Sequence, residues 1–109
     1  MKIKRGDVVY LNKTVPCPNA IRPYVIVSND VGNRHADICL GVPLTMKRKR
    51  GQPTQCIVSY NDSTVMTEQI CVINKNDIDK ILFTLNDSDM KRIEKCLAIS
   101  LDLGRDVDV

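Results

Sequence analysis

Short runs of β-branched and aromatic residues, separated by turn-forming residues, fill the first two thirds of the chain. Residues 7–11 form the first run, residues 24–27 are continuously apolar, and residues 38–44 form the longest run. Such runs are typical of strands, and a continuous apolar run indicates a strand covered on both faces. Pro43 indicates an edge or a bulge near the end of the third run, because proline cannot donate to a ladder. A β-rich fold is therefore expected.

Turn-forming residues divide the rest of this region. Residues 29–33, Asn-Asp-Val-Gly-Asn, predict a turn between the second and third strands. Residues 56–60 and 63–74 predict further strands around an Asn61-Asp62 turn. Pro16 and Pro18 predict a loop between the first two strands.

The last third of the chain changes to a helical pattern. Residues 74–77 predict the start of a short helix that runs to about Leu82. Asn86 is expected to cap a longer helix, with Asp89 three positions on as its capping-box partner. That helix carries one apolar stripe and is expected to end at Gly104; the stripe comprises Met90, Ile93, Leu97 and Leu101.

The order of these elements predicts the fold class. About five short strands followed by a C-terminal helix indicate a mainly β fold with α additions. A small barrel is expected, because half-open sheets hide their edges poorly. The length of 109 residues suits a single domain, placed at residues 1–104, with residues 105–109 as a flexible tail.

Charge is distributed unevenly along the chain. The formal net charge is +3, but residues 1–50 hold 10 basic and 3 acidic side chains, hence +7, and the remainder hold 6 and 10, hence −4. A basic half suggests a polyanionic partner. The alternative is a solvated surface balanced by acids nearby in the fold, and charge alone leaves both open.

Several function classes are excluded by composition. No apolar run approaches the length of a membrane span, and the N-terminus lacks the apolar core of a signal peptide, so a cytoplasmic protein is expected. The five cysteines are widely spaced and odd in number, which argues against a metal site and favours reduced thiols. A single His, His35, and the lack of a phosphate-binding glycine loop argue against triad and nucleotide-hydrolysing enzymes.

Two positions remain as candidates for chemistry. Arg22 stands at a strand start, and Thr45 stands at a strand end just before the basic run 47–50. Metal-free RNA cleavage needs a base, charge stabilisation on the phosphorane oxygens and a proton for the leaving oxygen. A guanidinium and a hydroxyl can both stabilise charge on the phosphorane oxygens by donating hydrogen bonds. From the residues alone, an arginine such as Arg22 more often forms a surface ion pair, and a threonine such as Thr45 is more often a β-branched strand residue, so the catalytic interpretation is the less common one.

Six short motifs over nearly the whole chain resemble those of the MazF/PemK/Kid toxins in order and spacing. These toxins are endoribonucleases of type II toxin–antitoxin systems. The motifs are Arg5-Gly6-Asp7-Val8, Ile21-Arg22-Pro23, Asn29-Asp30-Val31-Gly32-Asn33-Arg34, Pro43-Leu44-Thr45, Glu68-Gln69-Ile70 and Ile99-Ser100-Leu101.

The resemblance implies a fold, an activity and partners. The fold would be an SH3-like small barrel of the CcdB/MazF type, with short helices and a C-terminal helix. The activity would be sequence-specific cleavage of single-stranded RNA, with neither metal nor cofactor, to 2′,3′-cyclic phosphate and 5′-hydroxyl ends. The partners would be a second copy of the chain and a cognate antitoxin with an acidic segment.

The same resemblance implies roles for individual residues. Arg22 matches the catalytic arginine, Thr45 the catalytic threonine, and Glu68 an acid assigned as base in some members. Gln69 matches a residue that contacts bases. The other expected RNA-binding residues are Asn19, Pro23, Asn29, Lys47, Arg48, Lys49 and Arg50.

Two departures from the family keep alternatives open. Members usually carry Glu-Gln before the arginine-proline pair, where this chain has Cys17-Pro18-Asn19-Ala20, and an arginine where it has Cys71. Altered sequence specificity is expected. One alternative is a degenerate module that binds RNA or antitoxin without cutting. Another is a CcdB-like topoisomerase poison, which the absence of tryptophan and the Asp106-Val107-Asp108-Val109 end disfavour.

Overall fold

A computed structural model describes residues 2–12, 22–46 and 51–104. Strands dominate this part of the chain. In chain order the elements are β1 (Asp7–Leu11), β2 (Tyr24–Ile26), α1 (Asp30–His35), β3 (Ile38–Thr45), β4 (Gln55–Ile57), β5 (Thr64–Met66), a 3₁₀ turn (Thr67–Gln69), β6 (Cys71–Asn74), a second 3₁₀ turn (Lys75–Asp77), β7 (Ile78–Thr84) and α2 (Asp87–Ser100).

The strands form one antiparallel sheet in the order β4-β5-β3-β2-β1-β7, and β6 pairs with the first half of β3. Within the described residues these pairings do not close into a ring. The small barrel expected from the sequence is thus an open one in the part of the chain that the structure describes. The mainly β fold class with a C-terminal helix is confirmed.

Apolar side chains on the two faces of the sheet form two cores. Val8, Val25 and Val42 are cross-strand neighbours on the face that α2 covers, and Ile93 of α2 packs among them. The residues next to them in each strand point to the other face and form the second core, which includes Val9, Tyr24, Cys39 and Ile73. This is why the whole of β2 is buried, as its continuous apolar run predicts.

Pro43 lies inside a central strand, not at an edge. It pairs with Tyr24 of β2. On the side of β3 away from β2, the partner strand changes at Pro43. Pairing with β6 ends at Gly41, and pairing with β5 begins at Leu44. Leu44 N–H donates to Pro23 C=O, so the proline nitrogen faces the gap between β6 and β5, where no ladder donor is needed.

Two sequence predictions about local structure are wrong. The predicted turn at residues 29–33 is the start of α1, capped by the Asn29 side chain, which accepts from the Gly32 N–H at 2.8 Å. The predicted helix up to Leu82 is strand β7, preceded only by a 3₁₀ turn. Register shifts in the pairing of β7 with β1 break the two-residue alternation that marks a strand, so the pattern was not visible in the sequence.

The C-terminal helix begins as predicted and ends earlier than predicted. Asn86 accepts a hydrogen bond from Asp89 N–H at 2.8 Å, which is an N-cap. The helix ends at Ser100, and Leu101 at the end of the expected stripe is exposed while Cys96 is buried. In the described part of the chain, no helix has the length and apolarity needed to cross a membrane.

Candidate active site

The strand register brings Arg22 and Thr45 together. Tyr24 pairs with Pro43, and the hydrogen bond from Leu44 N–H to Pro23 C=O at 3.0 Å extends the ladder by one residue. Arg22 directly precedes Pro23, and Thr45 directly follows Leu44. Both residues therefore lie at the same end of the β2–β3 ladder, which brings an arginine and a threonine into one region of the surface.

Both side chains are half-buried. The Arg22 guanidinium makes no hydrogen bond or ion pair within residues 2–12, 22–46 and 51–104, whereas two other arginines of this part do. Thr45 pairs on its other side with Thr64 of β5, so strands on both sides support its backbone. An arginine that pairs with no carboxylate of the described residues, at the same end of a ladder as a hydroxyl, is suited to binding a phosphate.

Glu68 lies in the 3₁₀ turn between β5 and β6, and its carboxylate is held by β4. One oxygen accepts from Thr54 Oγ1 and the other accepts from Gln55 Nε2, both at 2.9 Å. The turn itself contacts β3. The carboxylate thus links the start of β4 to the turn, and both of its oxygens are occupied.

These hydrogen bonds set the charge state of Glu68. Partial burial raises the pKa of its carboxyl, but hydrogen bonds from Gln55, the Glu68 backbone, Thr54 and Gln69 outweigh that effect and hold the pKa below its usual value. A general base works best with a pKa near the operating pH. Glu68 is therefore ionised at neutral pH but is a weak base.

The other predicted RNA-binding residues within the described ranges lie in different settings. Gln69 is exposed in the same turn as Glu68, and its amide is 3.7 Å from Met66 Sδ. Pro23 is buried and contributes its carbonyl to the β2–β3 ladder. Asn29 caps α1, beyond the opposite end of β2 from Arg22, so this chain does not bring the two together.

Several predicted features fall outside the described residues. They are the candidate RNA-binding residues Asn19, Lys47, Arg48, Lys49 and Arg50, the Cys17-to-Ala20 departure and the tail at residues 105–109. Cys71, the second departure, is described. It is the first residue of β6 and packs against the second core.

A cavity of about 320 Å³ lies beside Thr64, the strand partner of Thr45. Arg92 of α2 lines it, and all of the Arg92 guanidinium nitrogens are engaged: they donate to Ile57 C=O, Ser88 Oγ and Asp89. The other lining residues are Gly51, Gln55, Cys56 and Ile57. The volume is within the range of small-molecule pockets, about 300–1,000 Å³.

Thiol and metal chemistry find no support in the described residues. Four cysteines there are free thiols, namely Cys39, Cys56, Cys71 and Cys96. Burial, followed by the neighbouring Cys96, raises the pKa of Cys56 to about 12, so this thiol stays protonated. Within the same residues, no three His, Cys, Asp or Glu side chains come together as metal ligands would.

Sequence reasoning missed the residues that hold this site in place. Thr54 and Gln55 bind Glu68, and Thr67 Oγ1 lies 2.8 Å from Ser100 Oγ, which joins the 3₁₀ turn to the end of α2. Threonine, glutamine and serine carry no positional signal in a sequence. Only the approach of β4 and α2 to the turn gives them partners.

Comparison with known proteins identifies a family. The family described as "PemK-like, MazF-like toxin of type II toxin-antitoxin system" matches residues 4–101. The chain is 31% identical over 112 residues to a protein named "Endoribonuclease MazF" from Staphylococcus saprophyticus, covering 93% of this chain and 92% of that one.

Solved structures show the same fold. An "Endoribonuclease in complex with its cognate antitoxin from Mycobacterial species" is 26% identical, with a TM-score of 0.80, covering 93% of this chain and 96% of that one. A MazE–MazF structure from Deinococcus radiodurans is 17% identical, with a TM-score of 0.76, covering 94% of this chain and 98% of the other. The mycobacterial structure extends the likeness to an endoribonuclease, and the Deinococcus structure supports the fold.

Proposed function

Since the chain belongs to the PemK-like, MazF-like toxin family of type II toxin–antitoxin systems, we propose that it cuts single-stranded RNA with Arg22 and Thr45 as its catalytic pair. The toxin is an endoribonuclease, as its 31%-identical relative is named. The observation that supports the residue assignment is the β2–β3 ladder, because Arg22 and Thr45 lie just beyond its last pairs at the same end. Its site of action would be the cytoplasm, where messenger RNA is translated.

The chemistry follows from what the two side chains can donate. The RNA 2′-oxygen forms a bond to phosphorus, the bond from phosphorus to the 5′-oxygen breaks, and the products are a 2′,3′-cyclic phosphate and a 5′-hydroxyl. Negative charge builds up on the non-bridging oxygens of the phosphorane. The Arg22 guanidinium stabilises it through charge-assisted hydrogen bonds, and the Thr45 hydroxyl donates one more. The 2′-proton passes to a base, the leaving 5′-oxygen takes up a proton, and we assign Arg22 as the donor of that second proton.

We assign Glu68 a positioning role in this reaction. Its carboxylate is occupied by Thr54 and Gln55, and its lowered pKa opposes proton removal at neutral pH. By anchoring the turn that contains Gln69, it would fix the position of a side chain that contacts the bases of the RNA. Pro23 would act in the same way, through the ladder that carries Arg22.

An antitoxin partner is proposed from the relatives and from charge. The mycobacterial endoribonuclease is described in complex with its cognate antitoxin. The first 50 residues of this chain carry a formal charge of +7, which suits an acidic, initially disordered segment that competes with RNA. The antitoxin would then inhibit by covering the same cations that bind phosphate.

A homodimer is proposed from an exposed apolar surface. Leu40 of β3 and Val72 of β6 are cross-strand partners, and Ile38 lies on the same face two residues away. Their exposed fractions are 39%, 63% and 48%. We call these three residues the β3–β6 patch. Large aliphatic side chains clustered on one face of a sheet indicate a protein–protein contact, and a second copy of the chain fits the family.

Acidic substitutions in the β3–β6 patch are expected to weaken self-association. Leu40→Glu combined with Val72→Glu buries two charges in the contact, so the dimer dissociation constant should rise roughly 30-fold or more. Sedimentation equilibrium measures it. The matched control is Phe83→Glu, the same change at an exposed apolar residue of β7. A wild-type chain that sediments as a monomer, or a double variant with unchanged affinity, contradicts the assignment.

The function is tested directly by RNA cleavage in EDTA. Purified chain is incubated with mixed-sequence single-stranded RNA, and the ends of the products are analysed. Cyclic phosphate and 5′-hydroxyl ends at a short recurring motif are expected, and addition of the antitoxin should stop the reaction. Intact RNA under these conditions, with RNA or antitoxin still bound, would favour the non-cutting binding module.

A further inference from the structure

A cavity lined by charged side chains lies away from Arg22 and Thr45. Its volume is about 530 Å³, and it opens between the N-terminal segment 2–4, helix α1 and the 3₁₀ turn after β6. Lys75, at the end of β6, is on its wall, and Lys75 N–H donates to Asp37 C=O next to the start of β3. Thr45 is the last residue of β3. Seven residue steps of a strand span up to about 23 Å, so the two sites are separate.

The cavity carries an excess of positive charge. Lys2, Lys4, Arg34 and Lys75 line it against one carboxylate, Asp30, so the formal charge is +4 − 1 = +3 with His35 counted as neutral. Within the described residues, the ion pairs are Arg5–Glu94 and Arg92–Asp89, and neither uses a cation of the cavity. Four cations that share one carboxylate repel one another, and a bound anion relieves that repulsion.

Asp30 does not neutralise these cations by contact. One of its oxygens, Oδ1, accepts from Arg5 N–H at 2.7 Å and from Asn33 Nδ2 at 3.1 Å. These two hydrogen bonds, together with the charges of Arg34 and Arg5, outweigh desolvation and hold the pKa of Asp30 below its usual value. The carboxylate is thus turned to the backbone and to Asn33, and it forms no ion pair with the lysines of the cavity.

One cation of the cavity is fixed in position before any ligand binds. Lys75 Nζ donates to Asn33 C=O at 2.5 Å and to Ala36 C=O at 2.9 Å. The ammonium has three donors, so one remains. The Asn33 side chain is itself held by Ser28, which it contacts at both its amide nitrogen and its oxygen. The ligand therefore meets a partly preorganised wall, which lowers the cost of binding.

We propose that this cavity binds the phosphate group of a nucleotide, through Lys4, Arg34 and the remaining donor of Lys75. The Arg34 guanidinium can donate two parallel hydrogen bonds to two phosphate oxygens, and each lysine adds one localised positive charge. The buried side chain of Ile3 gives the cavity an apolar surface for the sugar or base. The volume is in the range that holds a drug-sized molecule, which a mononucleotide is. The phosphate could belong to a free mononucleotide or to an RNA strand; the second source rests on the proposed endoribonuclease function.

The test is an amide chemical-shift titration of the full chain with adenosine 5′-monophosphate, with adenosine as the uncharged control. Saturable shifts at Ile3, Arg34 and Lys75 are expected with the nucleotide and not with adenosine. They should persist in Arg22→Ala, which removes the phosphate ligand of the catalytic pair. Because no cleavage is measured, this outcome is independent of whether the chain cuts RNA.

Charge removal in the cavity is the decisive comparison. Lys4→Gln combined with Arg34→Gln should raise the dissociation constant for the nucleotide roughly tenfold or more per charge-assisted hydrogen bond lost. Lys91→Gln combined with Lys95→Gln removes the same charge from the exposed face of α2 and should leave binding within about twofold. Equal weakening in both double variants would show a general charge effect and overturn the site.

A third arm distinguishes the sources of the phosphate. A 2′-O-methyl oligonucleotide without terminal phosphates cannot be cleaved through its 2′-oxygen. If it shifts the cavity amides and the mononucleotide competes with it, the ligand is a phosphodiester of the strand; if only the mononucleotide binds, the ligand is a free nucleotide. Oligoglutamate that shifts these amides where the nucleotide does not would overturn the proposal in favour of an acidic protein segment.

Discussion

Arg22→Ala should lower kcat/KM for RNA cleavage by about 10²–10⁴-fold while the chain stays folded. Arg22 lies at the same end of the β2–β3 ladder as Thr45, and no carboxylate of the described residues pairs with its guanidinium. The guanidinium stabilises negative charge that develops in the transition state, and removal of one such donor lowers kcat by about 10²–10³-fold. Arg22→Lys keeps the positive charge but loses the paired donors of the guanidinium, so it should recover only part of the activity.

The same assay separates the roles of Thr45 and Glu68. Thr45→Val keeps the β-branched shape and the pairing with Thr64 but removes the hydroxyl, so a loss of about 10²-fold is expected. Glu68→Gln should cost less than about tenfold and leave the pH–rate profile between about pH 6 and 8 unchanged, because its pKa lies below its usual value. Lys91→Gln is the charge control. A wild-type rate in Arg22→Ala contradicts the assignment, and a loss in Glu68→Gln as large as that in Arg22→Ala would make Glu68 the base.

Asp89→Ala should lower the free energy of unfolding by about 3 kcal/mol. Asp89 is fully buried at the start of α2, and its carboxylate accepts from Ser59 N–H and Ser59 Oγ and pairs with Arg92. Alanine leaves the Ser59 donors without these acceptors and frees an arginine that also holds Ile57 C=O. These contacts fasten α2 to the segment joining β4 to β5, and β5 carries the strand partner of Thr45. Cleavage should therefore be lost at a lower temperature in this variant.

Urea unfolding followed by circular dichroism measures the effect. The matched control is Asp87→Ala, which removes an exposed carboxylate from the first turn of the same helix and should cost only about 0.3–1 kcal/mol through the helix dipole. Asp89→Asn keeps one acceptor for Ser59 and should fall between the two. A loss of less than about 1 kcal/mol in Asp89→Ala would show that the buried carboxylate contributes little net stability, as paired buried charges sometimes do.

Local patterns predicted the elements whose signals are local. Residue propensity and the pattern of apolar positions predict strands β1, β2 and β3. The cap is predicted because the Asn86 side chain lies three residues before the N–H that it accepts from. The sequence predicts a turn where helix α1 begins and a helix where strand β7 lies. Asn29 suits a turn and an N-cap equally, and β7 is held by its pairing with β1, some 70 residues away and irregular in register.

The candidate residues were found in part from chemistry and in part from resemblance. Arg22 and Thr45 stood out by type and position, and the family motifs gave them roles. Glu68 came only with the motif, and no pattern in the sequence shows that Thr54 and Gln55 hold it and lower its pKa. Its role as a base, stated from the resemblance, is therefore the assignment that the geometry changes most.

By itself, the sequence determined the family, the mainly β class and most of the apolar positions of the two cores. These properties depend on residue types and on short spacings between residues, so they can be recognised within a few residues of sequence. The tertiary structure alone decided that Arg22 and Thr45 lie at the same end of one ladder, that Glu68 is hydrogen-bonded to β4, and that cations from the N-terminus, α1 and Lys75 line one cavity. Each of these depends on strand register or on contacts between distant segments, and the packing of the whole chain sets those distances.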